Sequence, residues 1–342
     1  MQEPVKKERA RYFKAPVFAV APMIDWTDTH CRVFHRQLTR RALLYTEMIV
    51  ADAVIHGDRG RLLAYNSEEH PLALQLGGSD PGKLAEAVRI AADYGYDEIN
   101  LNVGCPSDRV QSGTFGACLM RTPETVERAV AAMKAASAVP VTVKCRIGVD
   151  DQDPQAALPD FLARMAAAGA DAIWVHARKA WLQGLSPKEN RDVPPLDYEL
   201  VHRLKRENPD LFLGINGGIQ TIESALAHLE VMDGVMLGRA AYNNATLLTE
   251  VDPAIYGEEE RRPDWQAVCD AMMEHAARHI ASGGRLIHVT RHMVGLFQGF
   301  AGAKRYRQIL SAEAARPGAG PEVIAAAFAA VDTQAGPKRA VG

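Results

Sequence analysis

The chain lacks the features that staple small or exported domains. Its five cysteines (Cys31, Cys105, Cys118, Cys145 and Cys269) are odd in number and widely spaced. They form no CxxC pair and no His/Cys cluster at zinc spacing, which disfavours disulfides and structural zinc. No apolar run approaches the ~18 residues that a membrane span needs. Strong charge of either sign is also missing: 39 Lys and Arg stand against 42 Asp and Glu, a net of −3. That excludes gripping a polyanion by bulk attraction, though local patches remain open. Gly and Pro, at 27 and 19 of 342 residues, are too few for a fibrous or disordered chain. Lys6, Lys7, Arg9 and Arg11 precede an apolar stretch, Val17 to Ile24, in the manner of a secretory leader. Pro16, Pro22 and Asp25 interrupt that stretch, so a first strand is expected there, in a cytoplasmic protein with no membrane contact.

What is present fits one large domain of about 250 residues and a small one. Short β-rich runs alternate with segments that are apolar every three or four positions, the pattern of parallel βα units. The expected strands are Val17–Ala21, Leu43–Met48, Leu72–Leu76, Glu98–Val103, Val141–Arg146, Ala172–His176, Phe212–Asn216 and Val235–Leu237. Among the intervening helices, Ser79 or Asp80 is expected to cap one opened by Pro81, and Thr122 one opened by Pro123. Others are expected over Phe161–Ala168, Tyr198–Glu207 and Thr221–Leu229. Eight strands with helices between them, and no glycine fingerprint after the first, predict a (β/α)8 TIM barrel over residues 1–257. A linker is expected over Asp252–Pro263. A small all-helical domain over 258–342 follows, with helices at Ala267–Ile280, Leu286–Gly299 and Val323–Val331 and a frayed end. From Arg261 onward eleven Lys and Arg face six Asp and Glu, so the first 260 residues carry about −8 and the tail about +5. A basic appendage on an acidic body is a place to look for a polyanionic partner.

Active sites of such barrels lie at the C-terminal strand ends, so the polar residues there form one set. The first strand ends in Pro22 and Met23. The third carries Gln75, and the fourth ends Asn100-Leu101-Asn102-Val103-Gly104-Cys105-Pro106. The fifth carries Lys144 and Arg146, and the sixth ends His176-Ala177-Arg178. Gly217, Gly218 and Gly238, with Arg239, stand where barrels often bind phosphate through backbone N–H groups; otherwise they are tight turns. Asn216 precedes the first glycine pair. A buried Lys144 needs an anion, either a ligand or a carboxylate such as Glu47. Gln75 and His176 share a face suited to a heteroaromatic ring, or to structural roles. Cys105, on a loop above the barrel, is poorly placed for a core and well placed as proton donor or nucleophile.

These residues carry a family resemblance. Ala21-Pro22-Met23-Ile24-Asp25-Trp26-Thr27-Asp28, Leu72 to Gly78, Asn100 to Ser107 and His176 to Trp181 closely resemble the tRNA-dihydrouridine synthases, over nearly the whole chain. Leu185 to Arg191 and Thr290 to Gln298 resemble subfamily A. The resemblance implies an enzyme that reduces the C5=C6 bond of a D-loop uridine, at position 20 or its neighbour, with bound FMN and with NADPH as reductant. It implies that Pro22, Met23, Gln75, Lys144, His176, Asn216, Gly217, Gly218, Gly238 and Arg239 hold FMN. Cys105 would protonate C5 while hydride reaches C6. Asn102 and Arg178 would face the uracil edge. Lys179, Lys188, Asn190 and Arg191, with Lys304, Arg305 and Arg307 in the tail, would face the body of the tRNA. Tyr306-Arg307-Gln308 departs from the family pattern of two arginines after the aromatic residue. A monomer is expected. Two other classes fit less of the chain: a Schiff-base aldolase using Lys144 on a phosphorylated substrate, which leaves Cys105 and the basic tail unexplained, and a non-catalytic tRNA-binding module.

Overall fold

The computed structural model describes residues 14, 16–106, 115–260 and 262–334. Ser107 and the basic run at Lys6–Arg11 lie outside the described residues, as does the end of the tail beyond residue 334. Eight strands form a single parallel sheet: β1 (Val17–Val20), β2 (Leu44–Val50), β3 (Leu72–Gly77), β4 (Glu98–Val103), β5 (Val141–Arg146), β6 (Ala172–His176), β7 (Leu213–Asn216) and β8 (Gly234–Leu237). Each pairs with its neighbour in sequence, and β8 returns to β1 in register Val17 to Gly234. The Val20 N–H to Leu43 and the Leu43 N–H to Phe18, both 2.9 Å, close the ring between β1 and β2. The expected barrel is present, with strand ends shifted by a residue or two.

Side chains alternate in and out along these strands, and the two layers are differently filled. The outward layer packs against the surrounding helices in one continuous apolar core. Inside, Val17, Ala19, Leu43, Ala73, Ala172, Trp174 and Met236 form a separate cluster. Trp174 is fully buried and takes most of that space. A Cβ at Gly214 would lie 2.1 Å from its ring and one at Gly234 2.7 Å, so two neighbouring strands carry glycine where the indole crosses the barrel. The β3 to β5 side of the interior is polar instead, with Gln75, Glu98, Asn100 and Thr142 all buried.

The helices follow local chemistry. Asp80 caps Pro81–Ala92 by accepting from the Lys83 N–H, and Thr221 caps Ile222–Leu229 in a capping box with Ser224. Thr122, expected as a cap, makes no such bond, and Pro123 alone opens Pro123–Ala136. The helix expected from Phe161 starts seven residues earlier, at Pro154, because Asp153 caps it at the Gln155 N–H. Within the expected linker, Val251–Tyr256 is helical: Pro253 lies in the first turn, where its missing N–H costs nothing, and Gly257 closes it in the left-handed region.

Trp265–Ala281, Leu286–Thr290, Ala303–Gln308 and Glu322–Ala329 make the helical region. The helix expected over Leu286–Gly299 stops at Thr290 and continues as turns. The chain there runs against the barrel: a Cβ on Gly295 would stand 2.5 Å from the Asn243 carbonyl oxygen. Asp28 ties the two regions together. One carboxylate oxygen caps Thr29–Arg36 at the Cys31 N–H, and the other meets Arg291 at 2.5 Å and His292 at 3.0 Å. Burial works against the charge on Asp28, but His292, the Cys31 N–H and Arg291 outweigh it and hold its carboxyl well below the usual range.

Gly214→Ala tests the indole floor. The added methyl overlaps the Trp174 ring, and overpacking of this kind costs about 1–3 kcal/mol. Thermal or urea unfolding is expected to show a loss of that size, with a shift in Trp174 fluorescence.

Candidate active site

At the C-terminal end of the barrel, strand register places the expected residues side by side. Asn102 is level with Lys144, Arg146 with His176, and His176 with Asn216. Lys144 Nζ donates to Asn216 Oδ1 at 3.0 Å, and Asn216 Nδ2 donates to the Met236 carbonyl at 2.6 Å. Burial, helped by nearby Arg146, lowers the Lys144 ammonium to about 8. The alternative pairing with Glu47 does not form; Glu47 accepts from the Asp25 N–H at 2.5 Å, and burial raises its pKa. No carboxylate pairs with Lys144 among the described residues.

Positive charge accumulates around His176. Burial first, then Arg146, Lys144, Arg178 and Arg191, hold its pKa well below the ordinary imidazole value, so the ring is neutral. Its Nδ1 is buried without a hydrogen-bond partner among the described residues, as is Arg178 Nε. Two buried polar atoms left unmatched at the C-terminal end of β6 suit the edge of a polar ligand. Next to His176, Gly217 (φ +107°) and Gly218 (φ +73°) turn the chain sharply. A Cβ on Gly217 would press on the imidazole at 2.9 Å, so the glycine leaves the ring its place. Tyr198 holds the turn by donating to the Gly217 carbonyl at 2.6 Å. Across the mouth, Gly238 caps the short helix Arg239–Asn243, and its missing side chain faces Met23 Sδ at 3.4 Å. Pro22 and Met23 are half-buried on the loop after β1, held by Thr27 bonding to both the N–H and the carbonyl of Met23. Arg239 pairs with Asp192 at 2.6 Å. Such a rim, with a neutral imidazole, an ammonium that keeps its charge at neutral pH, two glycine turns and an arginine, fits a heteroaromatic ring bearing a phosphate.

Cys105 stands beside this mouth on a loop built by Asn102. The Asn102 carboxamide oxygen accepts from the Gly104 N–H at 3.1 Å and the Cys105 N–H at 3.0 Å. Its nitrogen donates to Gln75 Oε1 at 2.8 Å. Asn102, expected at a uracil edge, is thus nearly buried and already committed to the turn that carries the thiol. The five cysteines form no disulfide.

Arg146, given no role by the sequence, is central. Nε donates to the Gly104 carbonyl at 3.0 Å, while Nη1 donates to the carbonyls of Lys179 at 3.0 Å and Asn190 at 2.8 Å. It joins the cysteine loop to the long loop after β6. Period-two spacing from Lys144 puts it on the same face of β5, the signal by which it joined the strand-end set. In that second loop Asn190 corrects an expectation. It is fully buried, exchanges two bonds with the backbone of Trp181 at 2.7 and 2.8 Å, and also donates to Leu185 at 3.1 Å. It shapes the loop and leaves no atom for RNA. Lys188 and Arg191 remain exposed, and Lys179 lies 5.5 Å over the half-exposed Trp181 ring.

In the helical region the three expected cations divide. Lys304 and Arg307 line a cleft of about 940 Å³ together with Arg291, Gln298 and Tyr242, the last stacked on Trp26 at 4.4 Å. Arg305 instead pairs with Glu313 at 3.1 Å and donates to Gln308. Tyr242 and Arg291, which sequence reasoning missed, are remote in the chain and meet only because β8 and the tail converge.

Comparison with known proteins agrees with this geometry. A family model described as dihydrouridine synthase matches residues 19–331. The tRNA-dihydrouridine(20/20a) synthase of Xanthomonas campestris is 55% identical over 95% of this chain and 97% of its own. That of Shewanella oneidensis is 54% identical over 92% and 94%, and that of Escherichia coli K12 54% over 90% and 89%. Among solved structures, morphinone reductase superposes with a TM-score of 0.50 at 13% identity, over 74% of this chain and 88% of its own, a likeness of fold alone. With that match spanning both the barrel and the helical region, the chain belongs to the dihydrouridine synthase family.

Proposed function

We propose that this protein reduces the C5=C6 bond of a D-loop uridine in tRNA, at position 20 or 20a, to 5,6-dihydrouridine, acting as a monomer in the cytoplasm. The observation that carries this reading is the placement of Cys105 on a turn hydrogen-bonded to Asn102, beside a cationic, glycine-edged barrel mouth. The named activity of relatives above 50% identity over nearly the full chain supports it.

FMN is the cofactor that the rim fits. Pro22, Met23, Gln75, Lys144, His176 and Asn216 would hold the ring system, and Gly217, Gly218, Gly238 and Arg239 the phosphate. Bound there, the flavin supplies hydride for C6 of the pyrimidine after reduction by NADPH. The chain's own residues do the rest. Lys144, freed of any carboxylate, offers its ammonium where negative charge would gather. Cys105 delivers a proton to C5, so hydride and proton together saturate the bond. Arg178 has an unmatched Nε for the uracil edge. Lys179, Lys188 and Arg191 at the mouth, and Lys304, Arg307 and Arg291 in the cleft, offer a cationic path for an RNA backbone beyond the flipped base. A Schiff-base reading would also use an amine lowered to about 8, but it gives the built turn under Cys105 nothing to do.

Three outcomes test this. Cys105→Ala is expected to retain flavin, seen by its absorbance, while dihydrouridine formation falls at least about 100-fold, the lower range for a lost general acid. Activity surviving in that variant removes the proton-donor role. Lys144 must be charged to attract an anionic ligand, and its free pKa is near 8. Binding above that pH therefore takes up a proton, so flavin affinity is expected to weaken as pH rises from 8 to 10, and Lys144→Met to abolish that slope. Titration of apoprotein with FMN at several pH values reads both. Finally, Lys304→Ala with Arg307→Ala is expected to weaken tRNA binding and lower the salt slope by up to about 2, with flavin content unchanged. An unaltered slope places the RNA elsewhere.

A further inference from the structure

Five buried side chains link the floor of the barrel to the Cys105 turn, and every link runs in the same direction. The Gly104 and Cys105 N–H groups donate to Asn102 Oδ1. Asn102 Nδ2 donates to Gln75 Oε1, Gln75 Nε2 to Asn100 Oδ1, and Asn100 Nδ2 to Thr142 Oγ1, each at 2.8 Å. The Thr142 hydroxyl donates to Glu98 Oε1, where Tyr45 also donates, at 2.6 Å. All five, from Asn102 to Glu98, are buried.

The chemistry of the two ends explains the order. Glu98 Oε1 accepts from the Tyr45 and the Thr142 hydroxyls, so Thr142 spends its single proton there and turns its lone pairs to Asn100. Asn100 must then present its nitrogen to Thr142 and its oxygen to Gln75. The same choice passes through Gln75 to Asn102, whose oxygen is left facing the two backbone N–H groups. Flipped by half a turn, Asn102 would set an NH2 group against those N–H groups, and the turn could not close. Amides alone have no preference between the two senses; it is imposed from both ends, by the backbone N–H groups that can only donate and by Glu98 Oε1 that accepts. Links of one sense also polarise one another in a low dielectric, which stiffens the far end.

We infer that Glu98 and Thr142 are positioning residues for Cys105, acting through the amide orientations of Asn100, Gln75 and Asn102. This rests on the reading of Cys105 as proton donor for its consequence in turnover, but not for its structural content. The tests separate the two. Thr142→Val keeps the shape and removes the hydroxyl, whereas Thr142→Ser keeps the hydroxyl. Hydrogen–deuterium exchange at the Gly104 and Cys105 amides is expected to quicken about tenfold or more in Thr142→Val and to return close to the parent in Thr142→Ser. In the flavin-loaded protein, kcat per bound flavin is expected to fall in Thr142→Val at nearly constant KM for tRNA, and to recover in Thr142→Ser. Should Thr142→Val not fold, Glu98→Gln carries the same test, since a carboxamide permits both senses: exchange is expected to rise several-fold. Unchanged exchange in the folded variant overturns the inference, and so does a Thr142→Ser variant as impaired as Thr142→Val, which would assign the effect to packing. Altered exchange with unaltered kcat would leave the orienting chain standing and remove Cys105 from the chemistry.

Discussion

One buried guanidinium holds the catalytic end of the barrel together. Arg146 has no carboxylate partner among the described residues, yet it is almost wholly inaccessible to water. Burial draws its pKa down to about 10, still far above neutrality, so the charge is kept. What makes it tolerable is three carbonyl acceptors on two loops, at Gly104, Lys179 and Asn190. Charged hydrogen bonds of this kind are worth about 1.5–3 kcal/mol each, enough to offset several kcal/mol of desolvation. The same bonds fix where Cys105 and the basic β6 loop sit relative to each other. An acid in place of the carbonyls would neutralise the mouth; with carbonyls, the positive potential survives and is available to an anionic ligand.

The barrel interior serves two needs that conflict. It must be full, because a parallel barrel has no other core on its axis, and it must present polar groups at one end. The chain divides the labour by strand. From β6 around to β2 the interior is apolar, with Trp174 filling the space that Gly214 and Gly234 vacate. From β3 to β5 it is a continuous polar seam in which each buried amide is paired, down to Glu98. At the β2 to β3 edge the ladder slips between Tyr45 and Met48, and Thr46 Oγ1 accepts the Gln75 N–H at 3.0 Å. That slip preserves the inward direction of both Tyr45 and Gln75. A fully satisfied buried network specifies one arrangement and a partly satisfied one does not, which suits a site that must hold a thiol still.

The strands were legible because parallel barrel strands are short β-branched runs bounded by turns, and their ends set the active-site list by position alone. The cap at Asp80 was legible because an Asp stands before Pro81, although Thr122 before Pro123 makes no such bond. The errors share a cause. Asn190 resembled an RNA contact because it lies among Lys188 and Arg191, but a short polar side chain in a long loop is as apt to bond its own backbone, and here three carbonyls within nine residues claim it. The helix expected through Gly299 has helical spacing up to Leu296, yet stops at Thr290, and beyond it the chain runs so close to the barrel that a Cβ on Gly295 would stand 2.5 Å from the Asn243 carbonyl oxygen. Neither contact has a signature in local pattern. Arg146 stood in the set of strand-end residues but its bonds were illegible, and Tyr242 was missed outright, for the converse reason: their partners lie more than 30 residues away.

The helical region adds charge and also completes the mouth. Asp28 lies in the loop after β1, two residues beyond Trp26, and it is bound from the tail by Arg291 and His292. His292 Nε2 lies 3.0 Å from the Asp28 carboxylate and 2.9 Å from Arg291 Nε, and its Nδ1 lies 3.1 Å from the Tyr242 hydroxyl. Tyr242 in turn stacks on Trp26 and begins the cleft that Lys304 and Arg307 continue. A chain with an acidic barrel and a basic tail gains little from charge alone if the two are loosely joined, since attraction at a distance fades over about 10 Å at ordinary salt. Locking the tail through a desolvated carboxylate sets Lys304, Arg307 and Arg291 in one cleft with Tyr242. The weak overall charge of the molecule then becomes a directed one.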